Sequence, residues 1–278
     1  MYKMVKMFKY LIVCTIICNQ FVIAQEAEIK NPMLTSKFQL GAGIYIPSQK
    51  VKFSIDGSSD NQNIQFDENF DFNNNQGTPE VFFKWRFSKK WSVDAEYFNA
   101  NYATNRVLAN DIIAGDYTFN AGSNVKLGYK INMFRILFGR VISTGPKHEL
   151  GAGLGAHILA VKPFIEGNIV VNNSDNEFER VTASTTAPVP NIALWYYYAP
   201  TQKWLFSVKV DWFSLRVDEY KGSLWDISPG VNYQIIKNLG VALDYRFFKI
   251  NADVNKERWN GGVDLSFSGP TLTIIGNL

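Results

Sequence analysis

Cysteine is all but missing: the only two, Cys14 and Cys18, fall in the first 24 of 278 residues. Those residues read as a secretory leader. "MYKMVKMFK" carries Lys3, Lys6 and Lys9 and no acid, "YLIVCTIIC" is apolar, and "VIA" ahead of Gln25 puts small or β-branched residues at a cleavage position, so 1–24 are expected to be a removed signal peptide. Neither cysteine follows the small residue that lipid attachment wants. Residues 25–278 therefore hold no thiol, which excludes disulfides, thiol catalysis and thiolate metal sites. Long apolar runs are missing as well: Asn19 and Gln20 cut even the leader short of the ~20 residues a helical span needs. Charge of one sign is lacking too. Taking Lys3, Lys6 and Lys9 from 28 basic residues leaves 25 against 25 acidic ones, so nucleic acid has no electrostatic hold on the exported chain.

Aromatics, by contrast, are plentiful. Phe, Tyr and Trp number 21, 13 and 7 and make up 15% of the chain, yet mean hydropathy is −0.11. That pairing arises when apolar and polar residues alternate one for one. No 3.6-residue apolar period is sustained, whereas period two recurs along the chain. "KFQLGAGIYI" puts Phe38, Leu40, Ala42, Ile44 and Ile46 opposite Gln39, Gly41, Gly43 and Tyr45; "EVFFKWRF" separates Val81, Phe83, Trp85 and Phe87 from Glu80, Phe82, Lys84 and Arg86. "WLFSVKVDW", "SLWDISPGVNYQI", "LGVALDYRF" and "WNGGVDLSF" repeat the pattern.

Two sheet types alternate in this way. A soluble sandwich buries its apolar face in a core, whereas a membrane barrel turns it to lipid, gathers aromatics near both interfaces and encloses the polar face. Trp85, Phe87, Trp91, Trp204, Trp212, Trp225, Tyr233, Tyr245, Phe247 and Trp259 stand on the apolar face near strand ends, which favours the barrel. Short turns ("SKK", "TGPKH", "PTQK", "KN") alternate with long polar connections (47–79, 105–121 and 166–188). The short side is expected to be periplasmic and the Asn- and Asp-rich long side extracellular, as loops without a core. The fold class expected is all-β: a closed antiparallel up-and-down transmembrane barrel over 25–278, with about ten strands at 36–46, 78–87, 91–102, 122–143, 148–162, 187–199, 203–216, 221–236, 238–250 and 257–278. In "KINMFRILFG" and at Gly269-Pro270 the apolar parity changes, which reads as a bulge at each place; a hairpin at either would make the count eight or twelve.

"ELGAGLGAHILAV" sets Gly151, Gly153, Gly155 and His157 on one face. Its glycines do not have G-x-G-x-x-G spacing and no helix follows, so it is not a nucleotide loop. As a strand it turns glycines and His157 into the lumen, leaving room for large side chains opposite. His157 lacks a nucleophile at hydrolase spacing, His148 sits in a turn, and no Asp-x-His or His-x-Ser occurs; no catalytic residue is assigned. The lumen is expected to carry Glu80, Asp94, Glu96, Asp211, Asp226, Asp244 and Asp264 against Lys84, Arg86, Lys126, Lys130, Arg135, Lys209 and Arg246. Equal numbers point to a salt-bridged plug, since unpaired buried charge is costly, with a selective pore as the rival. Scattered acids and distant histidines offer no metal-ligand spacing, the acidic first loop lacks the EF-hand pattern of a calcium site, and no cofactor is called for.

From Leu127 onward, "LGYKI", "HELGAGLGAHIL", "PVPNIALWYYY", "WFSLRVDEYKGSLWDISPGVNYQIIKNLGVALDYRFFKI" and "SFSGPTLTI" resemble a family of bacterial outer-membrane β-barrel proteins. That family shares a "GAGLGxH" strand, a "YxG" hairpin and a terminal "SGP" segment. The resemblance implies fold and compartment rather than activity. Barrels of this kind usually end in an aromatic read by the barrel insertion machinery, whereas this chain ends in Leu278. The partners expected are that machinery, outer-membrane lipid and lipopolysaccharide. The function expected is non-enzymatic, a structural or surface-interaction role for extracellular loops; the alternatives are a narrow passive channel and an envelope lipid hydrolase.

Overall fold

Alternation over long stretches makes strands, and strands dominate. The computed structural model describes residues 30–57, 64–71, 77–109, 111–114, 117–171, 175–182, 184–217, 220–256 and 259–278. The expected leader, 1–24, and the tips of the acidic first loop, where the calcium question was posed, lie outside these residues. One helical turn, α1 (Pro32–Thr35), comes first. Fifteen strands follow: β1 (Phe38–Tyr45), β2 (Ser48–Gly57), β3 (Ile64–Asp71), β4 (Thr78–Trp85), β5 (Trp91–Val107), β6 (Ile112–Ala114), β7 (Tyr117–Phe119), β8 (Asn124–Thr144), β9 (His148–Val171), β10 (Asp175–Thr182), β11 (Thr185–Tyr198), β12 (Trp204–Val217), β13 (Tyr220–Ile236), β14 (Leu239–Lys256) and β15 (Trp259–Asn277).

Ten of these strands, β1, β4, β5, β8, β9 and β11 to β15, pair antiparallel in that order, and β15 returns to β1 to close the barrel. The closing seam runs from Gln39↔Asn277 to Tyr45↔Thr271 and ends in reciprocal 2.8 Å bonds between Phe38 and Leu278. No helix among the described residues is long and apolar enough to cross a membrane; crossing falls to the strands.

A band of exposed apolar side chains encircles the lower part of the barrel. Leu40, Phe83, Phe138, Leu154, Leu194, Phe206, Leu243 and Leu272 lie in it, with Trp85, Tyr198 and Trp204 at one rim and Trp212, Trp225 and Phe247 at the other. Water does not favour such a surface, and acyl chains do. The strands run well beyond the band: β9 has 24 residues, against about 9–11 for a tilted crossing.

Two expectations need correction at this point. The three long connections are not structureless, because β2 and β3 form a hairpin on β15, β6 pairs with β7, and β10 pairs with the upper part of β9. The two parity changes are not bulges either. β8 pairs without a slip through Ile131–Phe134, β14 and β15 pair without one through Gly269-Pro270, and the shifts that do occur are at Val51/Phe53, Val141/Ser143 and Gln234/Ile236.

What changes at those places is the surroundings of each face. On β14 the outward row is Leu243, Tyr245, Phe247 and then Lys249; the inward row is Asp244, Arg246 and then Phe248 and Ile250. On β8, Phe134 and Ile136 face out and Arg135 faces in, while one turn of the pleat higher Lys130 and Asn132 face out and Ile131 and Met133 face in. β5, β12, β13 and β15 reverse at the same level. Inside the lipid band the barrel is polar within and apolar without, and above it the sheet has the ordinary polarity of a water-soluble protein.

The upper interior is accordingly a packed apolar core. It includes Tyr45, Phe98, Tyr129, Ile131, Met133, Leu224, Phe248 and Phe267, each at most 1% exposed. Burying each such side chain contributes about 1.5–3 kcal/mol. At the handover from β1 to β2, Pro47 interrupts pairing and Ile46 N–H bonds Pro270 O at 2.9 Å. Gly269 lies against the Ile46 carbonyl so closely that a Cβ would overlap it, and this close approach explains the glycine of the "SGP" segment.

Candidate functional site

Closing the barrel brings the polar rows of separate strands face to face. The lowest layer of the lumen is capped by the N-terminal segment. Asn31 caps α1 by accepting from Met33 N–H at 2.9 Å, and its amide donates to Gln202 O at 3.0 Å, while the Gln39 amide donates to Met33 O at 2.7 Å. Above it, Arg86 Nη1 pairs with Glu149 Oε2 at 2.6 Å, Trp195 Nε1 donates to Glu149 Oε1 at 3.0 Å, and Lys84 Nζ lies 3.3 Å from Asp94. Lys84 also stands 5.3 Å from the Trp195 ring centre, a cation–π contact. Gly151 makes room for that indole, since a Cβ there would overlap it. Gly153 and Gly155 share its inward row.

The upper layer lies directly beneath the apolar core. Arg246 is its centre: Nε donates to Asp226 at 3.0 and 3.1 Å, Nη2 to the same carboxylate, and Nη1 to Glu96 at 2.6 Å and Glu80 at 3.3 Å. The guanidinium carbon is 5.4 Å from the Phe98 ring centre and 5.7 Å from that of Phe248, so Arg246 joins the two layers. Arg135 grips Asp211 bidentately, Nε to Oδ2 at 2.5 Å and Nη2 to Oδ1 at 2.9 Å, a strong, geometrically specific pairing. Lys209 and Asp244 complete the layer's ring, and Lys209 Nζ lies 5.8 Å from the Phe82 ring centre. His157 projects into it with no exposed surface, its Nε2 3.6 Å from Asp211 Oδ2 and 3.7 Å from Asp226 Oδ2.

Three residues expected in the lumen lie elsewhere. Lys126, Lys130 and Asp264 belong to the outward rows of the part above the lipid band. Lys126 pairs with Glu166 at 3.0 Å, which also holds Arg180 at 3.1 Å, across β8, β9 and β10. The rule that polar means inward does not hold along the whole strand; it holds only within lipid. Glu149, inside the expected strand 148–162 but not among the expected lumen charges, shares the inward row of Gly151, Gly153, Gly155 and His157. Among the described residues the lumen thus holds seven acids, Glu80, Asp94, Glu96, Glu149, Asp211, Asp226 and Asp244, against five bases, Lys84, Arg86, Arg135, Lys209 and Arg246. Two base–acid pairs in the lower layer cancel. The upper layer keeps five acids against three bases, a formal −2 with His157 neutral.

The structure also brings together residues that offered no ligand spacing along the sequence, His157 from β9, Asp211 from β12 and Asp226 from β13. Ser228 Oγ lies 3.5 Å from Asp226 Oδ1, but no hydroxyl hydrogen-bonds the His157 ring among the described residues, so the Ser–His contact of a hydrolytic triad is not formed there. Ser143 Oγ and His148 Nε2 are 3.4 Å apart, but on an exposed turn, and no third group orients the imidazole among the described residues. A cavity of about 70 Å³ runs from Met33 and Gln39 up to Glu96, Arg135 and Lys209, where the ionic layer ends it. That is room for a few waters.

No protein-family model matches the chain, and no curated protein sequence does. Among solved structures, the chain is similar to the outer membrane protease OmpT of Escherichia coli, at 11% identity and a TM-score of 0.49 over 88% of this chain and 99% of that one. It is similar also to the toluene transporter TbuX of Ralstonia pickettii, at 10% identity and 0.34 over 91% and 93%. A third is Ail, the attachment invasion locus protein of Yersinia pestis, at 9% identity and 0.32 over 84% and 99%. Closed by β1 on β15, girdled by exposed aliphatics between aromatic rims and ionic within, the chain is a closed ten-stranded antiparallel β-barrel of the transmembrane type.

Proposed function

We propose that this chain is a non-enzymatic outer-membrane barrel with a closed lumen, acting through the sheet and loops that stand above the lipid band in a structural or surface-contact role. The observation that carries the proposal is the apolar core seated directly on the ionic layer. An ion moving up the lumen would have to leave paired carboxylates and guanidiniums, then cross a core of Phe98, Met133, Phe248 and Phe267 in which the polar atoms are isolated buried hydroxyls such as that of Tyr45. Apolar constrictions of this kind close pores by excluding water.

Planar-bilayer recording of the purified barrel tests this. No discrete conductance is expected from the native chain, and steps are expected once Phe98→Ser and Phe248→Ser together breach the core. Steps in the native chain would overturn the closed lumen in favour of a passive channel. The proposed partners follow from the outer face, where the apolar band suits lipid. Just above it, Lys130 stands directly opposite Lys162 on neighbouring strands, both exposed. Like charges so placed repel, and the phosphates of lipopolysaccharide would relieve the repulsion. Loss of lipopolysaccharide co-purification in Lys130→Ala/Lys162→Ala would support that contact, and unchanged co-purification would remove it.

A further inference from the structure

We propose that His157, Asp211 and Asp226 form a binding site for one divalent first-row transition-metal ion, of which Zn²⁺ suits the ligand set best. The spacing is the first ground. His157 Nε2 lies 3.6 and 3.7 Å from the two Asp Oδ2 atoms, beyond the about 2.7–3.2 Å of a hydrogen bond. Ligand atoms held about 2.0–2.2 Å from a shared tetrahedral ion are about 3.3–3.6 Å apart. His157 is therefore too far from either carboxylate to bond it and close to the separation it would have from each around an ion, and the three ligand atoms all lie within 4.8 Å of one another.

The imidazole is the second ground. His157 is 0% exposed and neither ring nitrogen has a hydrogen-bond partner among the described residues. A buried polar group left unmade is expensive, and an ion on Nε2 removes half of that deficit. Third, Asp211 and Asp226 occupy directly opposed positions of β12 and β13, where two carboxylates repel unless positive charge lies between them. Arg135 and Arg246 supply part of it, each taking one carboxylate. A carboxylate has about four lone-pair sites; Asp211 accepts one bond on each oxygen and keeps a site on Oδ2 for an ion, whereas Asp226 Oδ2 accepts from both Nε and Nη2 of Arg246 and would give up the 3.1 Å Nε contact to the ion, the guanidiniums remaining as the orienting partners that metal-bound carboxylates usually have. Charge is the fourth ground: one dication brings the upper layer from a formal −2 to neutrality. Imidazole with carboxylates suits a first-row transition metal better than calcium or magnesium, which favour all-oxygen sites.

The cavity beneath reaches Arg135 and Glu96 from the end capped by α1, the side expected to be periplasmic, while the apolar core shuts the upper side. The ion would therefore come from the periplasm, and a water from that cavity would complete its shell. This inference stands whatever becomes of the closed-lumen proposal, since it concerns a site below the core.

The test uses the folded, detergent-purified barrel, stripped with EDTA and dialysed against Zn²⁺ or Co²⁺. One tightly held ion per barrel is expected by elemental analysis, with the intense visible absorption of four-coordinate Co²⁺, and X-ray absorption of the native Zn²⁺ form should show one imidazole nitrogen and oxygens at about 2.0–2.2 Å. His157→Ala and Asp211→Asn, checked for folding by gel mobility with and without boiling, should lose the ion, whereas His148→Ala on the exposed turn should keep it. Absence of a stoichiometric ion from the folded native barrel would overturn the proposal, as would its retention in folded His157→Ala. If neither variant folds, absorption on the native protein decides alone: a shell without imidazole refutes the site. A doubly protonated His157 ring in ¹⁵N spectra of the metal-supplemented barrel would equally refute it, with protons supplying the missing charge.

Discussion

Replacing Arg246 with methionine puts a sharp question to the ionic layer. Methionine keeps most of the side-chain length and can still lie beneath Phe98 and Phe248, so packing changes little while the charge disappears. Four hydrogen-bonded groups lose their donor together, both oxygens of Asp226, one of Glu96 and one of Glu80. The layer's formal charge goes from −2 to −3 in a place where the Asp226 side chain is 6% exposed. Removing one partner of a buried ion pair typically costs about 3–5 kcal/mol, and three acids sharing the lost cation place this substitution at the upper end. The outer-face pair Lys126–Glu166, with Lys126 47% exposed and Glu166 still held by Arg180, is the internal control: Lys126→Met should cost no more than about 1 kcal/mol. Urea titration of the barrel in lipid vesicles, followed by tryptophan fluorescence with a chelator present throughout, gives both values. Adding Asp226→Asn and Glu96→Gln to Arg246→Met should recover most of the loss, because it removes the stranded charges rather than restoring the cation. If Arg246→Met and Lys126→Met shift the midpoint equally, or if the triple variant recovers nothing, the ionic layer does not stabilise the barrel in the way described.

Other predictions address the band, the glycine row and the lower cap. Leu154 and Val107 are equally exposed, at 67%, but Leu154 lies mid-band on β9 and Val107 at the top of β5. Leu154→Arg should destabilise the barrel in vesicles by about 2–4 kcal/mol and Val107→Arg by about 0–1, and equal effects would mean the band is misplaced. Gly151→Val should cost about 1–3 kcal/mol by overpacking against Trp195, with much of it returned by Trp195→Ala in the same chain; the urea midpoint reads both. Asn31→Ala removes a helix cap worth about 1 kcal/mol and the bond to Gln202 O. It should speed proteolytic cleavage near α1 while leaving the unfolding midpoint of the barrel within about 0.5 kcal/mol, and unchanged cleavage would show that the segment is held by something else.

The spans through lipid were legible because each condition there acts on single residues. A strand crossing the band must show acyl chains an apolar side chain at every second position, and Leu239, Val241, Leu243, Tyr245 and Phe247 satisfy this in an unbroken row that no partner strand has to be known to read. The site was legible only by half. Which way Arg246 points follows from its place in that row; that it meets Glu96, 150 positions away, follows from five strands intervening around a closed wall. Strand number and closure are properties of the whole sheet, so the meeting of His157 with Asp211 and Asp226 could not be seen in any local window.

The misplacement of Lys126, Lys130 and Asp264 has a more instructive cause. A change of apolar parity in a strand has two physical origins, an extra residue that turns the chain over, or an unchanged chain passing from one solvent to another. β8 and β15 show the second: pairing stays in register while lipid gives way to water outside and the ionic layer gives way to a hydrophobic core inside. The two origins are separable in sequence by comparing strands. A bulge is a private event of one strand and its partner, whereas a solvent boundary must reverse every strand at one height. Here Glu96 gives way to Phe98, Asp211 to Phe213, Arg246 to Phe248 and, on a strand running the other way, Met133 to Arg135. Reversals on several strands, each about one residue past the last lipid-facing aromatic, therefore mark the membrane surface. They also place the ionic layer at that surface, where charge is least costly to hold within a barrel that is closed above.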